Sequence, residues 1–273
     1  MRFLLILVFT CLAQGDLRLA TFNIRFAGGD KGKNAWENRR ELVAETIVKM
    51  NPDVLGVQEA LHRQITDLEK ALPDYAWVGV GRDDGQKAGE YSPLFYLKEK
   101  FELLTQGTFW LSETPQIPGS MSWETACTRV CTWARLKKKS NGKIITVFNT
   151  HWDHRSQKAR ENSAKAILSH LKKPDLGQVI LMGDFNATET NPAIKTLTDF
   201  GLTNSFLSLH HASENRNTFH PWNGKTAGRR TIDHIFVSGT PRITKSWIEH
   251  HHRKGEPSQW PSDHFPVVTV IED

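Results

Sequence analysis

The feature that most constrains this chain is Gly183-Asp184-Phe185-Asn186, set directly behind the apolar run Val179-Ile180-Leu181-Met182. A buried strand that stops on Asp-x-Asn leaves a carboxylate and an amide at the rim of a sheet. Anionic and neutral oxygen donors side by side suit a hard divalent cation and the waters around it. Four further polar clusters close apolar runs in the same way: Thr21-Phe22-Asn23, Val57-Gln58-Glu59, 149–154, and the pair Ile232-Asp233-His234 with Ser262-Asp263-His264. That recurrence points to an enzyme rather than a binding module.

The periodicity of the remaining sequence predicts strands at 17–24, 54–58, 76–81, 92–96, 101–110, 128–137, 143–149, 179–182, 232–237 and 266–271, and helices at 36–50, 65–72, 160–171 and 193–200. Asn51-Pro52 is a helix stop, and Asn141-Gly142 a hairpin tip. Hairpins mixed with crossovers predict two packed mixed β-sheets flanked by helices. No repeat or Pro/Gly/Ser-rich linker divides the 273 residues, so 16–273 is expected to form one domain.

The first 15 residues have the make-up of a signal peptide: a positive start at Met1-Arg2, an apolar stretch at 3–12, and small residues at Ala13-Gln14-Gly15. The apolar stretch is short for a bilayer span, so the expectation is a secreted or periplasmic protein without stable membrane insertion or a lipid anchor. Cys127 and Cys131 are then the remaining cysteines. A continuous strand over 125–136 would hold them about 13 Å apart, beyond disulfide reach of roughly 7 Å. Both are expected as free thiols. The formal charge of +5 suits an anionic partner, although no long basic stripe appears.

TFNIRF (21–26), GVQE (56–59), NTHWDH (149–154), GDFN (183–186), TIDHIF (231–236) and SDHFPV (262–267), in that order, resemble the endonuclease/exonuclease/phosphatase superfamily, including its DNase-I-like members. The resemblance spans 17–270 and implies a four-layered α/β sandwich and Mg²⁺- or Mn²⁺-dependent phosphoester hydrolysis. It implies Glu59, Asn23 and Asp263 as metal ligands, and His264 as general base held by Asp233. Asp184 would orient the attacking water and Asn186 would donate to the phosphate. His151 would stabilise the scissile phosphate or leaving oxygen, with Glu90 supporting it. Arg129 would contact the phosphate; its other reading is an ordinary ion pair.

The chemistry agrees: an anionic ester needs positive charge at its oxygens, an activated water and help for the leaving group. His234, next to Asp233 on one strand, points to the opposite face and is expected to be structural. Asp153 and His154 either extend the site or line its rim. His250-His251-His252 fit a solvated loop, and Trp36, Trp123, Trp222 and Trp260 fit packing more readily than base stacking.

Expected substrates are phosphate esters: nucleic acids, phospholipid headgroups or phosphosugars. The primary expectation is a phosphodiesterase or nuclease acting as a monomer, and the alternative a phosphomonoesterase. Leu61 stands where the deoxyribonuclease branch carries an arginine, and Arg82-Asp83-Asp84-Gly85 is an acidic floor for a duplex; both argue against simple double-stranded DNase action. A catalytically silent relative that only binds a phosphate ligand is the remaining alternative.

Overall fold

The computed structural model describes residues 15–211, 215–228, 230–255 and 258–272. The expected signal peptide therefore lies almost wholly outside the described residues. Among those described, no helix is long and apolar enough to cross a membrane.

Two six-stranded mixed sheets pack face to face, as the fold expectation required. The first has the order β11(Ile243–Ile248), β12(Val267–Ile271), β1(Leu17–Asn23), β2(Val54–Gln58), β4(Leu94–Leu97), β3(Tyr75–Val78). The second has the order β5(Phe101–Trp110), β6(Val130–Lys138), β7(Ile144–His151), β8(Gln178–Asp184), β10(Asp233–Val237), β9(Thr203–Asn204). Helices α1(Trp36–Met50) and α2(His62–Ala71) cover the first sheet, and α3(Gln157–Leu171) and α4(Pro192–Asp199) the second.

Alternation along each strand builds three stacked cores. Leu19, Val54, Val147, Ile180 and Ile235 meet between the sheets. Phe22, Leu55 and Val57 pack under α1 and α2, while Phe148, Leu181 and Phe236 pack under α3 and α4. Both faces of the central strands are thus buried, which explains their near-continuous apolar sequences.

One polar cluster interrupts the inter-sheet core. Asn149 Nδ2 donates to the carbonyls of Val57 (2.7 Å) and Pro93 (2.8 Å), and Gln58 Nε2 donates to Asn149 Oδ1 (2.6 Å). A Cβ at Gly56 would lie 2.7 Å from Asn149 Oδ1, so glycine there is what allows the amide in.

Helix ends follow local chemistry. Asn51 adopts the left-handed conformation that closes α1. Ser156 caps α3 by accepting from the Ala159 N–H, and Asn191 caps α4 by accepting from the Ala193 N–H.

The structure corrects the expected strand over 125–136. β6 begins at Val130, and Cys127 lies in the preceding loop, where Thr125 and Ala126 donate to the buried Asp153 carboxylate. Both cysteines are free as expected, but the extended-chain spacing is not the reason. Edge strands β9 and β11 were not expected: one is two residues long, and the other, ITKSWI, lacks an apolar run because it is half exposed.

Candidate active site

Parallel pairing of β1 with β2 and of β7 with β8 brings their C-terminal ends to one edge of the sandwich, which carries the polar motifs. Asn23 ends β1, Glu59 follows β2, His151 ends β7, Asp184 ends β8, and Asp233 begins β10 antiparallel to β8. Asp263 and His264 precede β12. Glu59, Glu90, Arg129, His151, Asp184, Asn186, Asp263 and His264 line one pocket of about 700 Å³. Asn23 and Asp233 stand directly behind it, bonded to that lining. All ten residues expected from the sequence therefore meet.

Asn23 Nδ2 donates to both Glu59 Oε1 (3.0 Å) and Asp184 Oδ2 (2.9 Å), and its Oδ1 accepts from the Arg25 N–H (3.0 Å). Asp184 Oδ1 accepts from the Asn186 N–H (2.9 Å). His264 Nδ1 sits 3.0 Å from Asp233 Oδ2, and its Nε2 faces Asp184 Oδ2 at 3.8 Å. Arg25, Glu59 and Asn186 all hold left-handed backbone, with φ of 57°, 63° and 47°. Non-glycine residues enter that region at a cost, and such strain gathers where side chains must be aimed.

Electrostatics separate the roles of these groups. Burial raises Asp184, and nearby Asp233 adds to it, to about 7. Burial opposes the charged form of His264, yet Asp233, Asp184 and Asp263 together raise it to about 10. Burial and the charge of Glu59 raise Asp263. Glu59 is held below its ordinary value despite burial, by bonds from Asn23 and the Phe26 N–H and by His264. Burial, Arg129 and Arg82 push His151 well down, so its imidazole is neutral.

Three buried carboxylates crowded in this way need compensating charge. Glu59, Asp184 and Asp263 bring carboxylate oxygens to the pocket, and Glu59, His151 and Asp184 place ligand atoms within 4.8 Å of one another. Asn23, expected as a ligand, instead turns its Nδ2 to Glu59 and Asp184 and orients them. The residues present thus fit a hard cation such as Mg²⁺ or Mn²⁺.

The structure gives Glu90 a partner other than the expected one. Its two oxygens accept from Arg82 Nη1 (2.7 Å) and Nη2 (2.9 Å). His151 Nδ1 is buried without a hydrogen-bond partner, so Glu90 does not support it directly. The acidic stretch 82–85 contributes an arginine to the pocket wall rather than a polar floor.

Arg129 makes the expected ion pair and also lines the pocket. Its Nε lies 3.7 Å from Asp153 Oδ2 and its Nη2 donates to His154 Nδ1 (3.0 Å), while Nε and Nη1 are buried without hydrogen-bond partners beside the pocket. Asp153 is structural, accepting from the N–H groups of Ala126, Arg155 and Ser156. His154 lines the pocket.

Arg25, Arg82, Arg230, Phe26 and Phe219 also line the pocket and were not anticipated as site residues. Arg25 carried a signal, its place in TFNIRF; Phe219 and Arg230 lie in irregular chain with none. His234 bonds Asn204 and the Ala187 carbonyl behind the site, as its alternation with Asp233 required. The histidines at 250–252 lie outside the pocket: His250 packs on Phe265, His251 lies near Lys49, and His252 stacks on Trp260. Trp36 and Trp222 pack against Arg39.

A two-sheet sandwich with these side chains at one edge is the DNase-I-like fold. Residues 20–264 match the Endonuclease/Exonuclease/phosphatase family, and the chain belongs to it. Members of this family hydrolyse phosphoester bonds.

The chain is similar to a Bacteroides vulgatus endonuclease/exonuclease/phosphatase, with 37% identity, a TM-score of 0.87, and coverage of 94% of this chain and 99% of that one. It is also similar to a Bacteroides thetaiotaomicron mannosyl-6-phosphatase, with 33% identity, a TM-score of 0.87, and coverage of 93% and 99%. Nocturnin of Drosophila melanogaster is 24% identical over 281 residues, covering 87% of this chain and 42% of that protein. The chain spans about half the length of the curated relatives it matches.

Proposed function

We propose that this protein is a divalent-metal-dependent phosphomonoesterase acting on a small polar phosphate ester such as a phosphosugar. The observation that carries the reading is Arg129, whose Nη1 is buried without a hydrogen-bond partner at the pocket wall, with Arg82 alongside. A terminal phosphate is a dianion with three free oxygens, and forked guanidinium donors suit it better than they suit a diester. The similarity to a mannosyl-6-phosphatase over nearly the whole chain supports the same choice.

Glu59 and Asp263 would hold the metal with Asp184 beside it, and Asn23 would orient Glu59 and Asp184 through its Nδ2. Bound there, the ion supplies positive charge to the phosphoryl oxygens and relieves the negative surroundings that raise the proton affinity of His264. Asp184 Oδ2 and His264 Nε2 face one another, so a water donating to both is oriented by the first and deprotonated by the second. Asp233 fixes the imidazole through Nδ1 and stabilises the imidazolium. The Arg129 guanidinium binds phosphate oxygens. Both N–H groups of the Asn186 amide are already spent on His151 Nε2 (3.0 Å) and the Trp152 carbonyl (3.0 Å), so the expected Asn186 donation to phosphate would require one of those bonds to break. His151, neutral and accepting from Asn186 Nδ2 at its Nε2 (3.0 Å), lines the pocket beside Asp184 and orients that amide.

Phosphate release should be measured on mannose 6-phosphate, glucose 6-phosphate and p-nitrophenyl phosphate, p-nitrophenol release on bis-p-nitrophenyl phosphate, and strand shortening on single-stranded DNA, with Mg²⁺, with Mn²⁺ and with EDTA. The reading expects metal-dependent turnover of monoesters at least about tenfold above diesters. Faster diester cleavage would favour a phosphodiesterase, and silence on every substrate a phosphate-binding relative.

A further inference from the structure

Arg39 of α1 lies wholly buried behind the site and does not itself line the pocket. Its Nε donates to the Asn34 carbonyl (2.8 Å), and its Nη2 to the Arg25 carbonyl (2.7 Å). Its Nη1 donates to the carbonyls of Ile24 (2.5 Å) and Pro261 (2.9 Å). The guanidinium lies between the rings of Trp36 and Trp222, at 5.1 and 5.3 Å from their centroids. Burial lowers its pKa to about 10, so it remains charged at neutral pH.

Three of the four carbonyls it gathers belong to two segments far apart in sequence. Ile24 and Arg25 follow Asn23, and Pro261 precedes Ser262-Asp263-His264. Ser262 Oγ adds a further stitch by donating to the Asn23 carbonyl (2.7 Å). A surface arginine would pair with a carboxylate. Here four carbonyls and two indole faces take that place, an arrangement that fixes backbone positions rather than neutralising charge. A lysine could not reproduce it, because its three donors radiate from one point and cannot span a planar fork.

We propose that Arg39 is a positioning residue: it sets the separation between the strand end carrying Asn23 and the loop carrying Asp263 and His264, and so the geometry of the metal ligands and the base. The inference rests on the hydrolase reading above. Because Arg39 acts through other residues, its loss should weaken metal binding and slow turnover while leaving phosphate recognition by Arg129 intact. The slot between Trp36 and Trp222 should then accept a free guanidinium ion.

The test uses the full chain as wild type, Arg39→Ala and Arg39→Lys. Mn²⁺ affinity is measured by calorimetry without substrate, and kcat and KM on p-nitrophenyl phosphate. In Arg39→Ala the Mn²⁺ dissociation constant should rise about tenfold and kcat fall about a hundredfold, the scale of a 1 Å misplacement, with KM changed less than about threefold. Guanidinium chloride at about 20 mM should restore a substantial part of both, and equal NaCl should not. Should Arg39→Ala fail to fold, Arg39→Lys decides: native circular dichroism with a similar loss of Mn²⁺ affinity supports the proposal.

Wild-type Mn²⁺ affinity and kcat in either folded variant, or folded Arg39→Ala that guanidinium does not restore, would overturn it. A wild-type chain that neither binds Mn²⁺ nor turns over substrate would instead overturn the hydrolase reading, and the inference with it.

Discussion

Asp233 Oδ2 lies 3.0 Å from Nδ1 of His264, and the opposite ring nitrogen faces Asp184 Oδ2 at 3.8 Å. One imidazole therefore links two carboxylates delivered by neighbouring strands, β10 and β8, whose register pairs Asp233 with Asp184. Replacing Asp233 by Asn keeps the shape but removes the charge that stabilises an imidazolium. Asp233→Asn should lower kcat about a hundredfold or more with KM nearly unchanged. Steady-state kinetics check this, and near-normal kcat would remove Asp233 from the mechanism.

The raised pKa values of Asp184 and His264 make a stability prediction for the metal-free chain. A folded state that holds a proton more tightly than the unfolded one is stabilised below the ordinary pKa, and that advantage is lost as pH rises through the folded value. The windows run from 3.8 to about 7 for Asp184 and from 6.5 to about 10 for His264. Thermal melts in EDTA should therefore show Tm falling between about pH 5 and pH 9, with Mg²⁺ narrowing the difference by offsetting the carboxylates. Asp184→Asn should flatten the part of the slope below about pH 7. An unchanged slope in that variant would assign the loss to other groups.

Arg129 should separate binding from chemistry. Arg129→Ala is expected to raise KM for p-nitrophenyl phosphate by about tenfold or more, on the scale of a lost charge-assisted hydrogen bond. Arg129→Lys should recover little of it, since a point charge does not replace the fork. A wild-type KM in Arg129→Ala would leave Arg129 only its Asp153 and His154 contacts.

Asn149 is predicted to matter for stability rather than chemistry. Asn149→Ala removes a donor from the Val57 carbonyl and one of two donors from the Pro93 carbonyl, opens a void between the sheets, and should cost about 2–4 kcal/mol. Urea unfolding measures it; a loss under about 1 kcal/mol would mean that the inter-sheet amide is dispensable.

Much of this was legible in the sequence because strand ends announce themselves: an apolar run buried on both faces must stop where polar groups begin. That signal located Asn23, Glu59, His151, Asp184 and Asp233, and the resemblance supplied their joint meaning. Glu90 was placed in the pocket but given the wrong partner, because its pairing depends on how the loop at 79–91 folds back. The Trp110 Nε1–H bond to the Arg82 carbonyl holds that loop, and no local pattern encodes it. Arg230 and Phe219 stayed hidden for the same reason, and β11 because an edge strand needs no apolar alternation.

The central claim is that Glu59, Asp184 and His264 act together on a phosphate ester with a divalent cation. Its most direct test is Mg²⁺-dependent phosphate release by wild type against Glu59→Gln, Asp184→Asn and His264→Gln, each confirmed folded. The account predicts turnover abolished by EDTA and lowered about a hundredfold or more in all three variants. Metal-independent turnover, or near-normal rates in any of the three, would contradict it.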